Sequence, residues 1–118
     1  MSAYFTEDLR FLKNTDRVYS FIAKDPSGQA INLTGSSFDM EVRTKPSSEV
    51  LLSANTTNGK ITMPDAANGV FQLTVSSTDL SGIEEGTYRY DIFLINPDTT
   101  KEAILEGFFI VKNSITDS

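Results

Sequence analysis

The chain has 118 residues, of which 39% are hydrophobic, and its 8 Phe and 4 Tyr are enough for one domain with a packed core, which excludes intrinsic disorder. Cysteine and histidine are both absent, which excludes disulfide frameworks, cysteine- or histidine-based zinc sites, thiol nucleophiles and histidine acid–base catalysis. With 10 basic and 16 acidic residues the formal net charge is −6, so we expect neither nucleic acid nor an anionic membrane as a partner.

The first half of the chain predicts short strands separated by turn residues. We place strands at residues 9–13, 17–24, 37–44 and 50–52, with the third ended by the turn at 45–49. In the second strand, Tyr19 and Phe21 alternate with Val18 and Ile22, and we expect the aromatic side chains to be the buried ones because they remove more area from water. The third strand alternates apolar and charged residues without exception.

The second half continues this pattern. Strands are predicted at residues 60–63, 70–75, 87–95 and 102–111, and one helical turn at 77–80. Such regular spacing indicates an all-β fold, an antiparallel β-sandwich of roughly seven to nine strands. We assign residues 1–8 to an N-terminal arm, 9–111 to the sandwich and 112–118 to a C-terminal tail.

The last two strands form a hairpin whose register follows from chemistry. A four-residue loop at 97–100 places Tyr90 opposite Gly107 and Tyr88 opposite Phe109 on the buried face. A tyrosine ring then covers the gap that the glycine leaves. A loop one residue longer would bring Glu106 to the buried face, so we favour the shorter loop.

This register leaves a large apolar set on the outer face of the hairpin. Phe93 lies opposite Ile104, Arg89 opposite Phe108, and two further isoleucines lie nearby. An outer sheet face is normally polar, so the set indicates a protein–protein contact surface. Two other interpretations stay open: coverage by an N-terminal segment such as Tyr4–Phe5, and scattered surface residues without a role. The predicted interface residues are Phe93, Ile95, Ile104, Phe108 and Ile110.

Two segments resemble a known family. Residues 24–35 read KDPSGQAINLTG, and residues 82–91 read GIEEGTYRYD and are followed after the hairpin by LEGFFIV at 105–111. In this order they resemble the immunoglobulin-like N-terminal domains of phage baseplate and tail proteins, above all the baseplate upper protein family. The resemblance covers roughly residues 9–111 and implies an immunoglobulin-like sandwich. Family members usually continue into a long shaft or fibre, whereas this sequence stops at Ser118, which suggests a small separate virion component.

The resemblance also implies structural roles for two tyrosines. Tyr88 resembles a tyrosine corner, with Asp79 and Gly86 upstream at the turn between the sheets. Tyr90 then stands where many antibody-type domains have cysteine.

Candidate reactive groups are few. Paired carboxylates at Glu84–Glu85 would need an apolar pocket to serve as an acid, and the sequence provides none. Asp65, Asp79 and Asp98 lack the spacing of a calcium loop and are typical of turns. We therefore expect no enzyme activity, no metal, no cofactor and no small-molecule substrate.

These observations predict a structural component of a tailed bacteriophage particle, in the tail, baseplate, neck or fibre-attachment region. Its partners would be other phage structural proteins and copies of itself. We expect it to be made in the bacterial host cytoplasm, since residues 1–8 do not resemble a signal peptide, and to end up in the virion. The alternatives are a capsid decoration protein and a host-receptor or carbohydrate-binding module.

Overall fold

The computed structural model describes residues 5–44 and 48–115, so Tyr4, the turn residues 45–47 and the end of the predicted tail at 116–118 lie outside the described residues. The described chain forms nine strands, a short α-helix and one turn of 3-10 helix at Ala66–Asn68. The bounds are β1 (Phe5–Thr6), β2 (Leu9–Leu12), β3 (Arg17–Ile22), β4 (Ser37–Arg43), β5 (Val50–Asn55), β6 (Ile61–Asp65), β7 (Val70–Val75), α1 (Ser77–Ser81), β8 (Gly86–Ile95) and β9 (Lys101–Lys112). Every predicted strand is present, within a few residues at its ends.

The strands form two sheets. The large sheet has six strands in the order β1-β9-β8-β4-β5, with β2 also paired to β9, and the small sheet has the order β3-β7-β6. This is the immunoglobulin-like β-sandwich that we predicted. One feature corrects the prediction of a purely antiparallel fold: β1 and β2 both run parallel to β9 and extend the same edge of the large sheet. The large sheet therefore includes Phe5 and Thr6, which lie inside the segment 1–8 assigned to an arm.

The core between the sheets is held by aromatic contacts. Phe38 of β4 stacks on Phe71 of β7 with ring centroids 4.3 Å apart, and Phe71 stacks on Phe21 at 5.1 Å. Phe11 stacks on Phe109 at 4.4 Å. The Phe38–Phe71 stack joins the two sheets without a disulfide, and the other two stacks each lie within one sheet. The aromatic face of β3 points inward as predicted, while Val18 and Ile22 are exposed.

The β8–β9 hairpin contains a bulge that the sequence did not reveal. From Tyr88 to Ile92 the pairing is the predicted one, with Tyr90 opposite Gly107. Beyond Ile92 the register shifts by one residue, so Phe93 lies opposite Ala103 and the loop has five residues. The predicted pairing of Phe93 with Ile104 is wrong, because Ile104 is the extra residue of the bulge. The loop is one residue longer than predicted, but Glu106 still lies on the outer face. This is possible because the bulge at Ile104 accommodates the extra residue.

Gly107 is required for a reason other than the predicted one. A Cβ atom at this position would lie 2.0 Å from the carbonyl oxygen of Glu7. The space beside Gly107 is thus occupied by the backbone between β1 and β2, not only covered by a ring. The hydroxyl of Tyr90, whose side chain is buried, donates a 2.6 Å hydrogen bond to the same Glu7 oxygen.

Tyr88 forms the tyrosine corner that the sequence indicated. It lies near the start of β8, and its hydroxyl donates a 2.6 Å hydrogen bond to the backbone oxygen of Glu84, four residues upstream. Asp79 is not part of this corner. It belongs to a capping box at the N-terminus of α1, where it accepts from the N–H of Ser76 at 3.0 Å.

No helix in the described part of the chain is long and apolar enough to cross a membrane.

Candidate functional site

The outer face of the large sheet is the surface that carries the predicted interface. Because side chains alternate along a strand, its members point away from the core on β2, β4, β8 and β9. We use the term outer face for Arg10, Leu12, Ser37, Asp39, Glu41, Arg43, Arg89, Asp91, Phe93, Ile95, Glu106, Phe108 and Ile110.

Phe108 is the most exposed of the predicted interface residues. Its side chain is 43% exposed, and Arg89, directly opposite on β8, places its guanidinium 5.3 Å from the ring centroid. This cation–π contact covers one side of the ring and leaves the rest accessible to a partner.

The other predicted residues divide into two groups. Phe93, Ile95 and Ile110 are partly exposed on the outer face, as predicted. Ile104 is only 4% exposed and belongs to the core, because the bulge turns its side chain inward. The interface prediction is therefore corrected at this one position.

Ile110 extends the apolar surface toward the edge of the sheet. Its neighbour on β2 is Arg10. Leu12, two residues further along β2, is 45% exposed. These residues line a shallow cleft together with the cations Arg17 and Lys112. This end of the outer face is thus apolar and positively charged.

The centre of the outer face carries a row of carboxylates. Glu41, Asp91 and Glu106 are direct neighbours across β4, β8 and β9. Like charges placed directly opposite one another in a sheet repel. Glu41 is partly compensated by an ion pair with Arg43 on the same strand, at 2.8 Å. A single pair cannot balance three carboxylates, so the row keeps a net negative charge.

The row of carboxylates affects the pKa of Asp91. Partial loss of hydration raises the pKa of its carboxyl, the charges of Glu41 and Asp39 raise it further, and Arg43 opposes the effect. A charge that is poorly compensated in the free protein gains from a cationic partner.

The outer face is consequently banded. Arg43 and Arg89 lie opposite each other in one row, and the carboxylates of Glu41 and Asp91 occupy the next row of outward-pointing residues. A two-fold axis between these rows would place the cations of one copy against the carboxylates of another. Such a surface is complementary to a banded partner and also to itself.

The interpretation that an N-terminal segment covers the outer face rests on residues 4 and 5. Tyr4 and the Phe5 side chain lie outside the described residues, but the backbone of Phe5 pairs with Leu105 at the edge of the large sheet. The chain at this point extends the sheet sideways.

The chemistry available elsewhere is limited. Within residues 5–44 and 48–115, no three acidic side chains are placed to hold a metal ion. Asp98 accepts hydrogen bonds from the hydroxyl and N–H of Thr100, which lower its pKa, and Asp65 accepts from the Asn68 side chain. Both carboxylates therefore organise turns. Glu84 and Glu85 are exposed and lie outside any apolar pocket.

Sequence reasoning missed the completeness of the carboxylate row and a groove between the two sheets beside β3. Part of the row follows from the predicted hairpin register, which implies that Asp91 lies opposite Glu106; only the position of β4 was unknown. The groove depends on which strand edges are left open, which the order of the strands decides.

Comparisons with known proteins give structural similarities of low identity. No family model matches the chain, and no curated protein matches it. A chain in the crystal structure of ICOS in complex with ICOS-L and an anti-ICOS-L VNAR domain is 13% identical with a TM-score of 0.49, covering 90% of this chain and 54% of that one. This chain thus spans about half the length of that relative.

Two single-domain structures are covered almost completely. Murine CRIg is 14% identical with a TM-score of 0.45, covering 92% of each chain. The Ig1 domain of mouse SynCAM 2 is 14% identical with a TM-score of 0.40, covering 97% of this chain and 95% of that one. The strand order and the tyrosine corner make this chain an immunoglobulin-like β-sandwich, the fold that these proteins also have.

Proposed function

We propose that this protein is a structural component of a tailed bacteriophage particle and that it acts by binding neighbouring subunits through the outer face. The observation that carries the binding role is the exposed Phe108 beside Arg89, with the partly exposed Ile110 next to it on β9 and the partly exposed Phe93 beyond the carboxylate row. The resemblance of residues 24–35, 82–91 and 105–111 to baseplate proteins supports the assignment to a phage particle.

The proposed mechanism is passive. The aromatic core fixes the two sheets, and the outer face presents apolar side chains that lose contact with water on assembly. The banded charges set the orientation, because a wrongly placed neighbour would oppose like charges. The partners are other phage structural proteins and copies of this chain. The proposed role involves no catalytic step, no cofactor and no small-molecule substrate, and its location is the virion.

Phe108→Asp tests the proposal. The substitution puts a charge into the centre of the contact, so we expect an intact fold and at least a tenfold loss of incorporation into particles, measured by quantitative mass spectrometry of purified virions. Thr74→Asp is the control: Thr74 is exposed on β7, the central strand of the small sheet, and incorporation should not change. Normal assembly of the Phe108 variant would refute the interface.

Two further measurements test the assignment to a phage tail. The copy number per particle separates a tail or baseplate subunit from a capsid decoration protein. A gene neighbourhood of metabolic enzymes, without tail or baseplate genes, would contradict the phage assignment while leaving the binding role of the outer face open.

A further inference from the structure

The small sheet has an open edge at β3. This strand pairs with β7 on one side, and no strand within residues 5–44 and 48–115 pairs with its other side. In constant-type immunoglobulin domains the first strand lies beside the second in this sheet. Here β1 and β2 both pair with β9 instead, so none of the strands in the described residues occupies the position beside β3.

The backbone groups on this edge have a defined direction. The N–H of Ala23 donates to the oxygen of Gly69 at 2.8 Å, on the β7 side. Because successive amide groups of a strand point to opposite sides, the N–H and C=O groups of Ser20 and Ile22 point to the open side. They form the template on which another strand can pair.

An apolar groove lies beside the open edge, between the two sheets. Its volume is about 530 Å³, within the usual range of ligand sites. Phe21, Phe71 and Ile31 lie on its floor and small-sheet side, and Ile104 and Leu105 on the large-sheet side. The groove is therefore suited to apolar side chains that enter from the edge.

The groove is closed at one end by a contact between the two sheets and has a lysine at the other end. Beyond Ser20, the hydroxyl of Tyr19 bonds to both the N–H and the oxygen of Arg10, at 2.8 and 2.9 Å, and so ties the two sheets together. Lys24 lines the opposite end. The adjacent carboxylate of Asp25 is held in its own turn by hydrogen bonds from Ser27 and from the N–H of Gln29, and among the described residues it forms no ion pair with Lys24.

These charges favour an acidic occupant. Lys24 lines one end of the groove without an ion pair in the described structure, and Arg17 begins β3 at the other end, while the exposed Glu7 lines the large-sheet side. A carboxylate on the incoming segment would complement the Lys24 end, where the groove is open.

The β3 strand of a second copy does not fit the groove. Its inward side chains are committed to its own core, since Phe21 stacks on Phe71 and Tyr19 packs against Phe11 at 5.6 Å. Such a strand could pair edge to edge but would bring no apolar side chain into the groove. The occupant must be extended and unpaired before it binds.

We propose that β3 accepts an added strand: an extended peptide segment of a partner protein, apolar at alternate positions and acidic where it meets Lys24. The backbone of the segment pairs with Ser20 and Ile22, and its alternate side chains fill the groove. This site is separate from the outer face and does not depend on the role proposed for it.

A synthetic peptide provides the test. The probe is a segment with fluorescein on its N-terminus, fluoresceinyl-Glu-Val-Thr-Val-Thr-Val-Glu-amide, titrated against the full chain by fluorescence anisotropy. We expect saturable binding, and at least a tenfold weaker affinity for the same peptide N-methylated at its valines and threonines, because this removes the donors that pair with β3 in either strand direction.

Ser20→Pro is the matching change in the protein. It removes an N–H that points to the open side and leaves the β3–β7 hydrogen bonds in place, as prolines on edge strands do. We expect at least a tenfold loss of peptide affinity with little change in melting temperature.

Ser53→Pro is the control. Thr56 donates to the oxygen of Phe38 at 3.2 Å, so the amide of Ser53 points to the free side of β5, an edge of the other sheet. Ser53, like Ser20, is exposed, and its substitution should leave peptide binding unchanged.

Three results would overturn the proposal: no saturable binding up to about 1 mM, equal binding of the methylated peptide, which would indicate a merely apolar pocket, or equal binding to the Ser20 variant. Self-association of the wild-type chain that is lost in Ser20→Pro, seen by analytical ultracentrifugation, would make a second copy the occupant and would also overturn it. If the Ser20 variant does not fold, the comparison of the two peptides on the wild-type chain decides.

Discussion

Gly107 allows the link between β1 and β2 to pack directly against β9. The backbone of Glu7 lies so close that only a hydrogen atom fits between them, and its N–H donates to the oxygen of Glu106 at 2.9 Å. Tyr90 then binds the carbonyl oxygen of Glu7 from the core side. The absence of a side chain at Gly107 and the hydroxyl of Tyr90 together hold the link between β1 and β2 against β9.

Gly107→Ala should therefore destabilise the protein. The new methyl group would displace Glu7 and strain or break its hydrogen bond with Tyr90, at a cost of about 3 kcal/mol in the free energy of unfolding. Chemical denaturation measures this. Gly82→Ala is the control, because a Cβ there meets no atom within 4 Å, and its effect should stay within about 1 kcal/mol. Equal stability of the two variants would contradict the close packing of Glu7.

Among the secondary-structure elements, α1 is a five-residue helix that is stable only through its contacts. Its capping box joins Ser76 and Asp79, and Lys60, in the turn before β6, donates to the Asp79 carboxylate at 2.6 Å. Leu80, which belongs to the helix, is fully buried in the core. The helix thus anchors the connection between β7 and β8, which leads into the tyrosine corner.

Asp79→Asn removes the charge that caps α1 and pairs with Lys60, so it should cause a loss of stability that depends on pH. Partial burial favours the neutral carboxyl, but the Lys60 ammonium and the N–H and hydroxyl of Ser76 outweigh it, so the pKa of Asp79 is lowered. The ionised group therefore stabilises the fold above the ordinary carboxyl pKa of about 4, and this contribution is lost as the pH falls through the lowered value.

We expect Asp79→Asn to cost about 1 kcal/mol at pH 7 and almost nothing near pH 2, measured by denaturation at both pH values. Lys60→Gln, which keeps the capping box, should show a smaller version of the same dependence. A cost that does not change with pH would rule out the charge as its origin.

Across the molecule, charge and apolar surface are distributed unevenly. The outer face has a carboxylate row between an arginine-bearing row and Phe93, while Arg17 begins β3 and Lys24 lines the groove beside its open edge. The two surfaces lie on different sheets and are suited to partners of different chemistry. Under the two proposals, this small sandwich would hold two neighbours at once.

Asp91→Asn tests whether repulsion within the carboxylate row destabilises the free protein. Because the pKa of Asp91 is raised, the folded state binds its proton more tightly than the unfolded state, so stability from this group falls as the pH rises through the raised pKa. The substitution should stabilise the free protein at pH 7 by about 0.2–1 kcal/mol. This gain should shrink below pH 4 and in high salt.

The same variant should bind its neighbours less well, because a cationic partner loses a carboxylate. Thermal unfolding and particle incorporation of Asp91→Asn therefore move in opposite directions under this proposal. A variant that is both less stable and fully incorporated would contradict it.

Local patterns in the sequence were sufficient to predict every strand except β1, the buried face of β3 and the pairing from Tyr88 to Ile92, because apolar alternation and turn chemistry involve only near neighbours in the chain. They also placed Phe108 on the outer face, and the family resemblance indicated the tyrosine corner. The remaining features arise from long-range packing. Ile104 is buried because a bulge shifted the register after Ile92, and a bulge leaves no local signal here. The parallel pairing of β1 and β2 with β9, the full row formed by Glu41, Asp91 and Glu106, and the open edge of β3 depend on which distant strands become neighbours, and the packing of the entire core settles that.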